Sequence, residues 1–342
     1  MPREQLLAAL QRGWGKGLTA TDMVDARPET LSQEDMGDHL RRRIAYNVDK
    51  DERITGYLLL PKNRGAEKHP LIMCPHPTHR TGKDMVVGKY DTPPKDKTEE
   101  YKRSCRCYGA ELARRGYICF APDTLGFGER GPLTNDDSVQ RNMAAAHKAL
   151  ANRVPGWSSH GKAIWDLRRA IDFLVQMPEV DPDRVATIGH SLGGWYSLWL
   201  AGADTRIKAA VVNAGGNLAF RKELYESSEA LEAYLSGKSQ QMHVNASLWV
   251  MAIAPRPLLY MKALNDLDNP DYPNYIDGFR HMSHFYQQLA PDKTKASPFA
   301  VYVHNQGHSF DMDARQLAYH WLDIQLKHAP TTGAGSSASQ RW

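Results

Sequence analysis

Apolar positions in this chain gather into short runs, separated by polar turns or by stretches with helical spacing. Residues 43–46 and 54–60 are strand-like. The polar segment Asp49-Lys50-Asp51-Glu52 between them predicts a hairpin turn, and Pro61 ends the second run. From there strands and helices alternate. Residues 70–74, 117–121, 185–188, 207–212, 257–261 and 299–303 are near-continuous apolar runs of strand length. Residues 108–115, 164–176, 195–201 and 314–326 have helical character; in the second, Ile164, Leu167, Ala170, Ile171 and Leu174 share one face. Apolar strands alternating with amphipathic helices predict an α/β fold with a mostly parallel central sheet covered on both faces, and the early hairpin as its antiparallel edge.

The pattern also divides the chain. Residues 1–40 are polar with scattered apolar positions and are expected to form a helical extension packed outside the main domain. Residues 41–328 carry the alternating pattern of one catalytic domain. Two stretches, near 126–161 and 217–250, interrupt its rhythm and are expected to be lid insertions. Residues 329–342 are rich in Gly, Ser, Thr and Ala, and this composition predicts a disordered tail.

Composition adds little beyond exclusions. The chain has 342 residues, 42% hydrophobic and 24% charged, with a formal net charge of +4. That balance is ordinary for a globular protein and too mild to argue for nucleic acid. No apolar run reaches the length of a membrane span, and the N-terminus lacks the long apolar core of a signal peptide. The expectation is therefore cytoplasmic by default, with secreted or periplasmic left open. Cys74, Cys105, Cys107 and Cys119 form no CxxC pair, so four free thiols are expected and no zinc site.

The chemistry starts at Gly189-His190-Ser191-Leu192-Gly193-Gly194, between a predicted strand and a predicted helix. A G-x-S-x-G sequence in that context is a nucleophile elbow: small flanking residues permit a sharp turn that exposes the serine hydroxyl. Without the strand and helix it would be a glycine-rich turn with a surface serine. A general base should follow the last strand. His308, in Gly307-His308-Ser309-Phe310 just before the last helix, has that position, whereas His304 and His328 lie near the strand and late in the helix. The acid should follow the preceding strand, where both Asp266 and Asp268 are candidates. Oxyanion donors are expected from the Leu192 N–H and from the loop Pro75-His76-Pro77-Thr78-His79. Pro77 has no N–H, which leaves Thr78 or His79, with Thr78 taken as the donor.

Several segments together resemble the dienelactone-hydrolase-like and acetyl-xylan-esterase-like branch of the α/β-hydrolase superfamily. They are residues 165–174, 178–185 and 189–194, with Ala121-Pro122-Asp123-Thr124-Leu125-Gly126-Phe127-Gly128-Glu129-Arg130, Ala254-Pro255-Arg256-Pro257 and Gly307-His308-Ser309-Phe310. The resemblance implies Ser191 as nucleophile, His308 as base and Asp266 at the acid position. It also implies ester hydrolysis without metal or organic cofactor, on a small-molecule or carbohydrate ester. Two departures matter: dienelactone hydrolases proper use a cysteine where this chain has Ser191, and the loop after the first central strand usually carries His-Gly where this chain has His76-Pro77.

Further residues are candidates for substrate contact: His76, His79, Asp123, Glu129, Arg130, His190 and Trp195. Asp123, Glu129 and Arg130 sit where this fold binds ligands, yet a salt-bridged turn explains them as well. Trp195, like Trp157, Trp165 and Trp249, could line a pocket or fill the core. A serine peptidase or amidase, an acyltransferase, and more remotely a non-catalytic binding protein are the rival functions on the same fold.

Overall fold

A computed structural model describes residues 3–15, 17–62, 67–89, 106–131, 138–216, 218, 229, 246–266, 272–290, 292 and 297–330. Among the described residues nine strands form one sheet in the order β1-β2-β3-β5-β4-β6-β7-β8-β9. The strands are β1 (Glu29–Asp35), β2 (His39–Asp49), β3 (Glu52–Pro61), β4 (His69–Met73), β5 (Ile118–Pro122), β6 (Val180–His190), β7 (Ile207–Asn213), β8 (Leu258–Ala263) and β9 (Phe299–His304). β1 to β3 are antiparallel, and β3 meets β5 antiparallel; β5, β4, β6, β7, β8 and β9 run parallel. The expected parallel core and antiparallel edge are thus both present.

The helices are α1 (Arg3–Arg12), α2 (Lys83–Val86), α3 (Tyr108–Arg114), α4 (Val139–Arg153), α5 (Ser159–Leu174), α6 (Leu192–Ala203), α7 (Ala246–Ile253), α8 (Tyr272–Leu289) and α9 (Met312–Gln325). They cover both faces of the sheet. Along β7, Ala210 and Val212 join one core with α1, α5, α6, α7 and α8, while Ala209 and Val211 join the other with α3 and α9. Side chains alternate across a strand, so a strand buried on both faces must be apolar at every position, which is the run seen in the sequence. Helix α5 starts where the Ser158 hydroxyl accepts the Gly161 N–H at 3.0 Å, and it buries the predicted face of Ile164, Leu167, Ala170, Ile171 and Leu174.

The N-terminal region differs from expectation. Residues 29–35 form an edge strand rather than part of a helical extension, pairing with β2 from Glu29↔Ala45 to Asp35↔Leu40. Every residue of β1 is exposed, so its backbone pairing left no hydrophobic period to read. α1 is helical as expected, but it is not external: Leu6, Ala9 and Leu10 are buried in the main core, and Trp14 stacks on Trp249 with centroids 4.9 Å apart.

Of the two expected lids, the first contains a short 3₁₀ turn at Gly128–Arg130 and helix α4; most of the second, Asp268 and the tail from residue 331 lie outside the described residues. Cys74 and Cys119 are free and buried, but Cys107 is disulfide-bonded, which corrects the expectation of four free thiols. No described helix is long and apolar enough to cross a membrane.

Candidate active site

Ser191 stands between β6 and α6, with φ 57° and ψ −122°. A non-glycine residue held at positive φ stores strain, and it persists only where its surroundings fix it. The surroundings here are glycine backbones. A Cβ on Gly189 would lie 2.1 Å from the Gly193 oxygen, and one on Gly193 would lie 2.3 Å from the Pro75 oxygen. The Ser191 N–H donates to the Asn213 carbonyl at 2.9 Å, which ties the elbow to the end of β7.

Three chain-distant side chains meet at this turn. His308 Nε2 is 2.8 Å from Ser191 Oγ, and His308 Nδ1 is 3.0 Å from Asp266 Oδ1. Asp266 follows β8 and His308 follows β9, so adjacent parallel strands deliver acid and base to one end of the sheet. The sequence left Asp266 and Asp268 both open; it is Asp266 whose carboxylate meets the imidazole. Burial opposes ionisation of Asp266, but the hydrogen bond and charge of His308, followed by the charge of Lys262, hold its carboxyl below the usual range. Lys262 Nζ, itself buried, lies 3.2 Å from the other carboxylate oxygen and 4.7 Å from the centre of the Tyr275 ring. Lys262 was not singled out from the sequence. Its signal was a lysine inside an otherwise apolar central strand, four residues before an aspartate.

Leu192 is buried at the first position of α6, where its N–H faces the end of the helix that favours negative charge. The loop after β4 passes against the elbow at Pro75 and His76 and is held there by the Tyr108 hydroxyl, which donates to the Pro75 carbonyl. Thr78 and His79, further along, are exposed.

The expected substrate contacts divide sharply. His76 is fully buried: its Nδ1 donates to the Pro77 carbonyl at 2.8 Å and its Nε2 accepts the Thr124 N–H at 3.1 Å. Burial pushes its imidazole below the usual value, as suits a neutral ring that pins two loops. His79 is hydrogen-bonded to the Thr81 hydroxyl at 2.8 Å. Asp123 is buried; it pairs with Lys83 Nζ and accepts the Lys83 and Glu129 backbone N–H groups at 2.8 and 2.9 Å. Glu129 binds Lys83 at 2.7 Å and also pairs with Arg43. Arg130 binds Asp166 at 2.8 Å and Glu52 at 2.6 Å. These three residues therefore form a salt-bridged turn, with their charges paired within the protein. Trp195 is buried beside Trp199, with centroids 5.2 Å apart, and belongs to the core. His190 is buried behind His308, with ring centroids 4.9 Å apart.

Comparison with known proteins agrees with this fold. A family model described as the alpha/beta hydrolase fold matches residues 100–246. The Bacillus subtilis protein YtaP, which carries only a provisional name as a hydrolase, is 27% identical over 259 residues, 73% of this chain and 78% of its own. The acetyl esterase Axe7A of Xylanibacter ruminicola is 28% identical over 172 residues, half of this chain but only 34% of the esterase. Among solved structures, a glucuronoyl esterase from Solibacter usitatus superposes with TM-score 0.62 at 17% identity, over 94% of this chain and 91% of that one. Acetyl xylan esterase 1 from Thermoanaerobacterium does so with TM-score 0.59 at 16% identity, over 95% and 99%. The serine elbow, the sheet order and the matched family model together show that the chain has the α/β-hydrolase fold, which it shares with the acetyl xylan and glucuronoyl esterases.

Proposed function

We propose that this chain is a serine carboxylesterase acting through an acyl-enzyme. The observation that carries the reading is the continuous hydrogen-bonded series from Ser191 Oγ through His308 to Asp266. In the proposed reaction His308 Nε2 accepts the Ser191 proton as Oγ attacks the ester carbonyl. Asp266, kept ionised, holds the imidazole in the tautomer that leaves Nε2 free to accept, and it stabilises the imidazolium that forms. The Leu192 N–H and an N–H of the loop after β4 receive the oxyanion, with Thr78 as the expected loop donor. His308 then protonates the leaving alcohol, and water activated by the same ring releases the acid.

The substrate proposed is an acetylated or otherwise esterified carbohydrate, with small aromatic or aliphatic esters as the second choice. Its support is the set of esterases that share the fold and the acetyl esterase relative. The test is hydrolysis of p-nitrophenyl esters from acetate to octanoate by the wild type and by Ser191→Ala, with p-nitroanilides in parallel. Turnover of short esters by the wild type, reduced about 10⁴-fold or more in Ser191→Ala, is the expected result. Equal turnover by both would remove Ser191 from the mechanism. Preference for the anilides would move the reading to an amidase.

A further inference from the structure

The end of β7 carries a polar residue that the proposed mechanism does not use. Asn213 is fully buried and touches the catalytic apparatus in three directions. Its backbone carbonyl accepts the Ser191 N–H at 2.9 Å. Its side-chain Nδ2 donates to the Ser309 carbonyl at 2.9 Å, one residue beyond the base. The same Nδ2 lies 2.8 Å from His190 Nδ1. A carbonyl can only accept, so the amide nitrogen must face Ser309, and its second N–H is then directed at the imidazole nitrogen. His190 is thereby the tautomer with its proton on Nε2.

We propose that Asn213 is a positioning residue that fixes the loop carrying His308 to the strand end holding Ser191, so that base and nucleophile keep their 2.8 Å separation. The inference rests on the esterase reading of this site.

The physical argument concerns where the base loop is anchored. On its far side the loop is held by Arg315, which donates to the Phe310 carbonyl, and the His308 carbonyl receives Arg106 at 3.4 Å. The bond to the nucleophile's own support is the one from Asn213 to Ser309. Because the same residue receives the Ser191 N–H, a shift of β7 carries both catalytic groups together. Proximity catalysis is sensitive at this scale: a misplacement of about 1 Å can cost about 100-fold in rate. The arrangement also keeps His190 from acting as a rival charge. Burial, then the charges of Arg106, His308 and His304, push its imidazole well below the usual value. The ring packed against His308 is therefore neutral.

The experiment is a double-mutant cycle on ester hydrolysis. Asn213→Ala is made in the wild-type and His308→Ala backgrounds, and kcat and KM are measured for each. The backbone carbonyl that receives Ser191 survives the substitution. The expected result is a fall in kcat of about 10-fold to 100-fold with KM within about twofold in the wild-type background. In the His308→Ala background no further loss is expected, because there is no base left to misplace. An equal loss in both backgrounds, a loss confined to KM, or wild-type kcat would each overturn the proposal. Should Asn213→Ala not fold, Asn213→Leu removes the donated hydrogen bond at nearly constant volume and is read by the same criteria. Failure of both to fold would assign Asn213 to the fold and overturn the proposal too. If the wild type neither hydrolyses an ester nor takes a fluorophosphonate at Ser191, the esterase reading itself falls, and this inference falls with it. Wild-type labelling with an unaffected Asn213 variant overturns this inference alone.

Discussion

Two polar clusters sit at the carboxyl ends of the central strands, and they are built on opposite principles. In the triad, Ser191 is bonded to a base that is partly open to solvent. In the turn after β5, Asp123, Glu129 and Arg130 are tied to Lys83, Arg43, Asp166 and Glu52. Further along, Lys162 pairs with Asp166 and binds Glu52 at 2.8 Å, and Arg153 binds Asp49 at 2.8 Å and Glu52 at 2.9 Å. Strand-end position alone therefore does not mark a ligand site. What distinguishes the two clusters is whether the protein's own opposite charges already use the donors and acceptors. A group so used is held by Coulomb attraction, and it would lose those bonds on turning to a substrate.

The comparison can be broken by substitution. The largest effect is expected at the triad acid. Asp266→Asn keeps the shape but no longer fixes the productive tautomer of His308, and kcat of the folded protein should fall about 10⁴-fold; it also leaves the buried Lys262 without its carboxylate, so the melting temperature should fall too. A fall of less than about tenfold would mean that another carboxylate serves as the acid.

Next is the network. Lys83 and Asp123 are both buried, and Lys83→Met leaves a buried carboxylate without its cation. Unfolding in urea should show a loss of about 3–5 kcal/mol, while kcat of the folded protein stays within about twofold. A selective loss of kcat instead would return Asp123 to the active site.

A smaller effect tests the same network by pH. Burial opposes the charge of Glu52, but Arg130 and Lys162 depress its pKa from 4.5 to about 2. A depressed carboxylate contributes stability above its unfolded value, and that contribution is lost as pH falls through the folded one. Glu52→Gln should therefore lower stability by about 3 kcal/mol at neutral pH and flatten its decline between pH 4.5 and 2, as followed by chemical unfolding at each pH. An unchanged slope would show that Glu52 is not held by its partners.

The smallest effect sharpens the triad side. Lys262 helps to hold Asp266 ionised. In Lys262→Met the carboxyl should protonate at higher pH, so the acid limb of kcat/KM should move upward, with a loss of about tenfold or less at neutral pH. A limb that does not move would make Lys262 a packing residue only.

The legible parts of the sequence were those where a local rule forces a local structure. Val185 to Ile188 reads as a doubly buried strand because both faces are covered, and Gly189 and Gly193 announce the elbow because side chains there would strike backbone. His308 was legible by its place after the last strand. The edge strand at Glu29–Asp35 was not, because exposed residues paired only through their backbone carry no hydrophobic period. The role of Lys262 left a weak local signal, an aspartate four residues on, whereas that of Asn213 was hidden, since it is defined by neighbours distant in the chain. Its side chain reaches the Ser309 carbonyl, 96 residues away, which no spacing along the chain announces.

The sequence by itself determined the α/β class and the chain positions of the proposed nucleophile and base, because strand burial, turn sterics and strand order are properties of short segments and their succession. Only the tertiary structure decided that Asp266 meets the imidazole, that Asp123, Glu129 and Arg130 bind each other's neighbours, and that Trp195 belongs to the core. Those outcomes depend on which charges and surfaces come within a few ångströms across the sheet. Hydrogen bonds and buried ion pairs act over that distance, and spacing along the chain does not encode it.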